Sequence, residues 1–162
     1  MKLKSLSIVL LALLAFSCKK KDGGDVTPKS TLELLTNGSS KTWMVKQGIA
    51  KQNDLEVNLI ASQNPCITDN LIKLYSDFTY EFSEGATKCE PTDPDLILKA
   101  NWSIASDESS ISIDKFIFLG RSIDNPVFVL SDVSETNFSG KTTITIENET
   151  FDVQVTFESV AQ

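Results

Sequence analysis

From Phe151 to Glu158 apolar and polar residues alternate without a break, Phe151, Val153, Val155 and Phe157 against Asp152, Gln154, Thr156 and Glu158. A period of two puts all four apolar side chains on one side of an extended chain, whereas a helix would scatter them around its axis. The segment is therefore a half-buried antiparallel strand. Thr142 to Glu147, with Ile144 and Ile146 on one side, precedes it across Asn148-Glu149-Thr150 and completes a hairpin.

The same pattern recurs upstream at short, regular spacing. Lys41 to Lys46 opens a strand with Trp43 and Val45 on one face. Leu71–Tyr75 and Phe78–Phe82 form a hairpin around Ser76-Asp77. Leu96 to Ile104 places Leu96, Leu98, Ala100, Trp102 and Ile104 on one side, and Asp107-Glu108-Ser109 turns it into Ile111 to Leu119. Within that last run Phe116-Ile117-Phe118 breaks the alternation, which predicts a bulge or burial on both faces. Asn125-Pro126 starts a further strand, Val127 to Val133. Leu55, Val57 and Leu59 alternate within Asp54 to Ile60, which reads equally as a strand or as the edge of a loop. Ahead of all this, Ser30-Thr31-Leu32-Glu33 fits a capping box and Asn37-Gly38 a helix stop, so a two-turn helix opens the domain. Many short strands joined by hairpin-sized turns predict an all-β sandwich or barrel.

The N-terminus carries a separate message. Lys2 and Lys4, the apolar run Ile8 to Phe16 and the small Ser17 before Cys18 follow the export pattern. The run is far short of the ~20 apolar residues of a membrane-spanning helix. Residues 1–17 are expected to be removed as a signal peptide. Leu14-Ala15-Phe16-Ser17-Cys18 resembles the lipobox of bacterial lipoproteins, in which the cysteine is acylated; Ala15 and Ser17 also suit ordinary signal peptidase, which would leave Cys18 bare. The cysteine count weighs on this choice: the chain has 3, and an odd number in an exported protein calls for an explanation. Lipid on Cys18 would leave Cys66 and Cys89 as an even remainder. Residues 18–28, charged and glycine-bearing, are expected to form a flexible tether, and residues 29–162 a single domain.

Composition excludes several functions. Removing Lys2 and Lys4 from 15 basic residues leaves 13 against 22 acids, and Arg121 is the only arginine. That balance argues against nucleic acid as a partner. The chain has no histidine, which removes the commonest general base and the commonest zinc ligand together. No phosphate-binding glycine loop is present. No catalytic residue, metal ligand or cofactor site is expected, and the chain reads as a non-enzyme. Glu90-Pro91-Thr92-Asp93-Pro94-Asp95 offers oxygens but not the spacing of a calcium loop, and reads as a stiff solvated turn.

Taken in order, Lys41-Thr42-Trp43, Cys66-Ile67-Thr68-Asp69-Asn70, Asp77-Phe78-Thr79-Tyr80-Glu81-Phe82, Gly85-Ala86-Thr87-Lys88-Cys89 and Trp102-Ser103-Ile104 resemble the lipocalin-like lipoproteins of Bacteroidetes-type bacteria. The resemblance spans roughly residues 30–158. It implies an up-and-down antiparallel β-barrel of about eight strands, with Cys66 and Cys89 bridged; such a bridge is worth ~3 kcal/mol. The full Gly-x-Trp signature of animal lipocalins is missing, and Trp43 alone stands for its tryptophan. The resemblance also implies a lipoprotein of the bacterial outer membrane, on its periplasmic or surface face, anchored through Cys18. A small hydrophobic or amphipathic ligand is expected in the barrel mouth, with Trp43, Tyr80 and Trp102 as candidate pocket residues; the same aromatics would equally fill a closed core. The rival is a surface module whose loops hold a protein or glycan partner.

Overall fold

A computed structural model describes residues 27–146 and 148–161. The predicted signal peptide, Cys18 and the tether as far as residue 26 lie outside the described residues. Helix α1 (Thr31–Thr36) is capped at Ser30, whose side chain accepts from the Glu33 amide, and stops at Asn37 in the left-handed region. Eleven strands follow: β1 (Ser40–Gln52), β2 (Leu55–Asn58), β3 (Leu71–Tyr75), β4 (Thr79–Ser83), β5 (Leu96–Ile104), β6 (Ser110–Ile113), β7 (Lys115–Phe118), β8 (Arg121–Asp124), β9 (Val127–Ser131), β10 (Asn137–Ile146) and β11 (Glu149–Ser159), with a one-turn helix α2 (Pro65–Thr68) before β3.

Eight of these strands, β1, β3, β4, β5, β6, β9, β10 and β11, pair antiparallel with their neighbours in chain order, and β11 returns to β1 to close the ring. The fold is an up-and-down antiparallel barrel, as the resemblance implies, and of the sandwich and barrel that the strand pattern leaves open it is the barrel. Closure is extensive: Trp43↔Ser159 to Lys51↔Asp152, with one irregularity between Val45 and Gln47. Five of the eight non-glycine residues with positive φ are asparagine or aspartate, at Asn37, Asn53, Asn125, Asp132 and Asn148. Their short polar side chains tolerate the left-handed turn that each connection needs.

The barrel has two unlike ends. At one, α1 lies under the ring. Leu35 is fully buried, Trp43 Nε1 donates to its carbonyl at 2.9 Å, and the Thr31 amide donates to Glu108 in the β5–β6 turn at 2.6 Å. From this floor an aromatic column rises through the lumen. Trp43 meets Phe138 edge-on at 4.8 Å, Phe138 stacks on Phe157 at 4.4 Å, Phe157 meets Phe116 at 6.5 Å, and Phe116 stacks on Phe118 at 6.1 Å. Such contacts add about 0.5–1.5 kcal/mol each beyond area burial. The lower barrel is thus a filled core.

At the other end one predicted element differs and one ambiguous segment is resolved. The run Ile111 to Leu119 is not one bulged wall strand. It breaks at Asp114, and β7 pairs only with β8, outside the ring. The buried positions change parity there, from Ile111 and Ile113 to Phe116 and Phe118, and the latter two share one face of β7 that packs into the lumen rather than along a neighbouring wall strand. The ambiguous segment Asp54 to Ile60 supplies a strand, β2, folded back on Ile49–Gln52 of β1 around Asn53.

Candidate ligand cleft at the barrel mouth

The β7–β8 hairpin leaves the ring between β6 and β9, and in an eight-strand circuit that junction faces β1. The hairpin reaches across: the Phe118 ring lies so close to Gly48 of β1 that a Cβ there would sit 2.8 Å from it. Only glycine permits this approach. The hairpin tip, Leu119-Gly120, has φ of 51° and 74°, the pair of positive values that a two-residue turn matched to strand twist requires. At its base the Tyr80 hydroxyl donates to the Lys115 carbonyl and Lys115 pairs with Asp124 at 3.6 Å. The hairpin is a crossbar over the mouth.

On the β10–β11–β1 side of the crossbar lies a cleft of about 1110 Å³. This is just above the ~300–1,000 Å³ that holds small organic ligands. Ala50, Ile144, Phe151 and Val153 form its barrel wall; Phe118, Leu119 and Ile123 belong to the crossbar. The third side is the β2 arm with Leu55, Val57 and Leu59. Leu55 is 63% and Val57 44% exposed, so apolar surface is left facing solvent at the rim. Polar groups are few: Gln52, Gln63, Ser122, Thr143 and Thr145, with Arg121 as the one charged residue lining the cleft among the described residues. The Gln52 amide donates to Glu149 at the β10–β11 turn, outside the lining.

Of the two places the sequence leaves open for the candidate pocket residues, pocket wall or closed core, they stand in the core. Trp43 and Tyr80 are fully buried and Trp102 is 2% exposed; none of the three lines the cleft. Each spends its polar atom on a backbone carbonyl in the core, Trp43 on Leu35, Tyr80 on Lys115 and Trp102 on Tyr75 and Thr79 at 3.1 Å. Burial, then the nearby Asp114 carboxylate, pushes the Tyr80 phenol well above its usual range. The cleft residues carried weaker signals, the alternation at Leu55, Val57 and Leu59 and the broken alternation at Phe116–Phe118.

Cys66, on α2, is bonded to Cys89 with a Cα–Cα distance of 5.1 Å, stapling the loop before β5 to the mouth on the far side of the crossbar. Within that loop the acidic stretch is internally satisfied: the Glu90 amide donates to Asp93 at 2.8 Å and Lys88 pairs with Asp95 at 2.6 Å. Asp69 and Glu84 each keep one buried oxygen without a partner among the described residues. Burial, then Asp93 and Asp69, raises the Glu84 carboxyl.

Bovine odorant binding protein in complex with a selenium-containing odorant is similar at 12% identity, covering 84% of this chain and 76% of that one, with a TM-score of 0.46. The same bovine protein with undecanal gives 12% and 0.45. A transferrin binding protein B mutant from Haemophilus parasuis Hp5 is similar at 7% identity, covering 83% of this chain and 28% of that one, with a TM-score of 0.40. No family model and no curated protein matches the chain.

Proposed function

We propose that the protein is a non-enzymatic bacterial envelope lipoprotein that holds a small hydrophobic or amphipathic molecule in the mouth cleft. The observation carrying this reading is the cleft itself: an apolar-walled space above a filled core, with apolar side chains of the β2 arm exposed at its rim. Isolated exposed apolar residues need no explanation, but grouped around a concavity they mark a binding site. The non-enzymatic part rests on the chemistry available. The chain has no histidine, and Cys66 and Cys89 are consumed by their bond. The envelope part rests on the N-terminal sequence: signal peptide 1–17, acylated Cys18 and the tether 18–28 carrying the domain 29–162 at the outer membrane. Two acyl chains suffice for stable attachment. The order of motifs from Lys41 to Ile104 supports membership of the lipocalin-like lipoproteins of Bacteroidetes-type bacteria.

Mass spectrometry of the protein extracted from its native membrane tests both parts. Under denaturation the mass should equal residues 18–162 plus acyl chains, less two hydrogens; a bare mass removes the anchor. Under gentle conditions a small molecule should co-purify, and Val153→Trp, which fills the cleft, should lose it. Retention by that variant would move the ligand elsewhere.

A further inference from the structure

The charge around the cleft says more about its occupant than its size does. The chain has 22 acids against 15 bases, a net charge of −7. Among the described residues no carboxylate lines the cleft, and the only arginine of the sequence does. Neighbouring cations are already matched, Lys115 with Asp124 at the crossbar base and Lys51 with Glu56 on the arm at 2.7 Å, and the Glu149 carboxylate outside the lining accepts from Gln52. Arg121 has no carboxylate partner among the described residues. It sits beside the crossbar tip, paired across the hairpin with Phe118, so one short element brings both an apolar floor and a guanidinium to the same cavity.

Building on the cleft as a ligand site, we propose that its occupant is an anionic amphiphile, with a carboxylate or phosphate head against Arg121. Its apolar body lies between the crossbar and the β2 arm. A guanidinium offers a planar fork of donors that matches such heads and keeps its charge at any physiological pH. Ser122 lines the same space; the Thr143 and Thr145 hydroxyls turn to Asp152 and Thr150 on the outer face of the β10–β11 pair. The acidic field of the whole protein opposes an anion only weakly, since charges beyond a Debye length of ~8 Å are screened. A neutral apolar ligand would gain nothing from a guanidinium in this wall, and a cationic one would be repelled.

The test is calorimetric titration of the full-length protein in lipid nanodiscs, with empty nanodiscs as the partition blank, using dodecanoate, dodecyl phosphate, dodecanol and dodecylammonium. The two anions should bind roughly tenfold more tightly than the alcohol, the scale of one charge-assisted contact at a half-open site. Dodecylammonium should bind least. Arg121→Gln should erase the anion advantage while leaving dodecanol unchanged, Arg121→Lys should restore part of it, and added salt should shrink it. Equal binding of alcohol and anions, or an anion advantage that survives Arg121→Gln, overturns the proposal and leaves the cleft a general apolar site. Binding by none of the four overturns the cleft as a ligand site altogether. A carboxylate-only or phosphate-only preference identifies which head the site reads.

Discussion

The two ends of this barrel are built from different materials. The floor is held by packing: a fully buried helix residue, Leu35, and an aromatic column that starts at Trp43. The mouth is held by a covalent staple, Cys66–Cys89, and by a hairpin laid across it. Packing leaves no room for a guest, since close-packed interiors keep few voids larger than water. A staple and a crossbar fix the rim while leaving a cleft between them. The difference teaches that aromatic residues at strand spacing mark where this barrel is filled, and that the cleft above is walled by aliphatic side chains of the β2 arm and rim with only Phe118 and Phe151 from the aromatics.

Four measurements can break or sharpen that contrast. The largest effect is expected at the floor. Trp43→Ala removes the foot of the column and its bond to Leu35, and should destabilise by ~3–5 kcal/mol in denaturant unfolding. The cleft affinity of the remaining folded protein should be unchanged; a matching loss of affinity would mean that the two ends are not separate.

At the mouth, the double change Cys66→Ala and Cys89→Ala should cost ~2–4 kcal/mol by releasing a loop whose ends are 23 residues apart. Amide exchange should quicken around α2 and the loop before β5 while the floor keeps its protection. Uniform quickening would show that the staple supports the whole barrel.

Tyr80 joins the two ends, because its ring is in the core and its hydroxyl holds the crossbar base. Tyr80→Phe should cost ~1–2 kcal/mol at neutral pH by leaving the Lys115 carbonyl without its donor. The pH dependence follows from the raised pKa. Above about pH 10, the ordinary phenol value, the unfolded chain loses this proton while the folded chain keeps it. Stability is therefore fully present below that pH and falls as pH rises further. The Phe variant should lack this alkaline slope. An unchanged slope would assign the loss to other groups.

The smallest stability effect is expected at the rim. Leu55→Ser with Val57→Ser should change stability by no more than ~0.5 kcal/mol, as exposed positions do, while weakening apolar ligand uptake several-fold. A large stability loss would make the arm part of the core after all.

Much of the fold was legible in the sequence because its strands are half-buried and so alternate. Phe151 to Phe157 and Leu96 to Ile104 are strands as the pattern predicts, and the Ser30 cap and Asn37 stop bound the helix. The crossbar was not legible. Phe116 and Phe118 alternate as a strand should, but out of phase with Ile111 and Ile113, and a change of phase alone does not say whether the chain bulges within the wall or leaves it. The cue was present in Leu119-Gly120, a turn between Phe118 and Arg121 too short for anything but a hairpin. Trp43, Tyr80 and Trp102 were legible as buried residues but not as separate from the cleft. Their size suits a pocket wall and a core equally, and only the carbonyls that take their polar atoms distinguish the two. Sole possession of an arginine was visible at Arg121, but its position at the mouth depended on the unseen hairpin.

The pairing of β1 with β11 has a consequence in time. The ring closes through partners as far apart as Trp43 and Ser159, and β11 also supplies Val153, Val155 and Phe157 to the interior. Contacts this distant along the chain are the slow ones to form, because the loop entropy must be lost before they repay it. Until β11 pairs, the other seven wall strands have two open edges and an unsealed lumen. The barrel is finished last-strand-first in importance, and a chain stopped short of Phe151 would keep a sheet with edges ready to pair with another molecule.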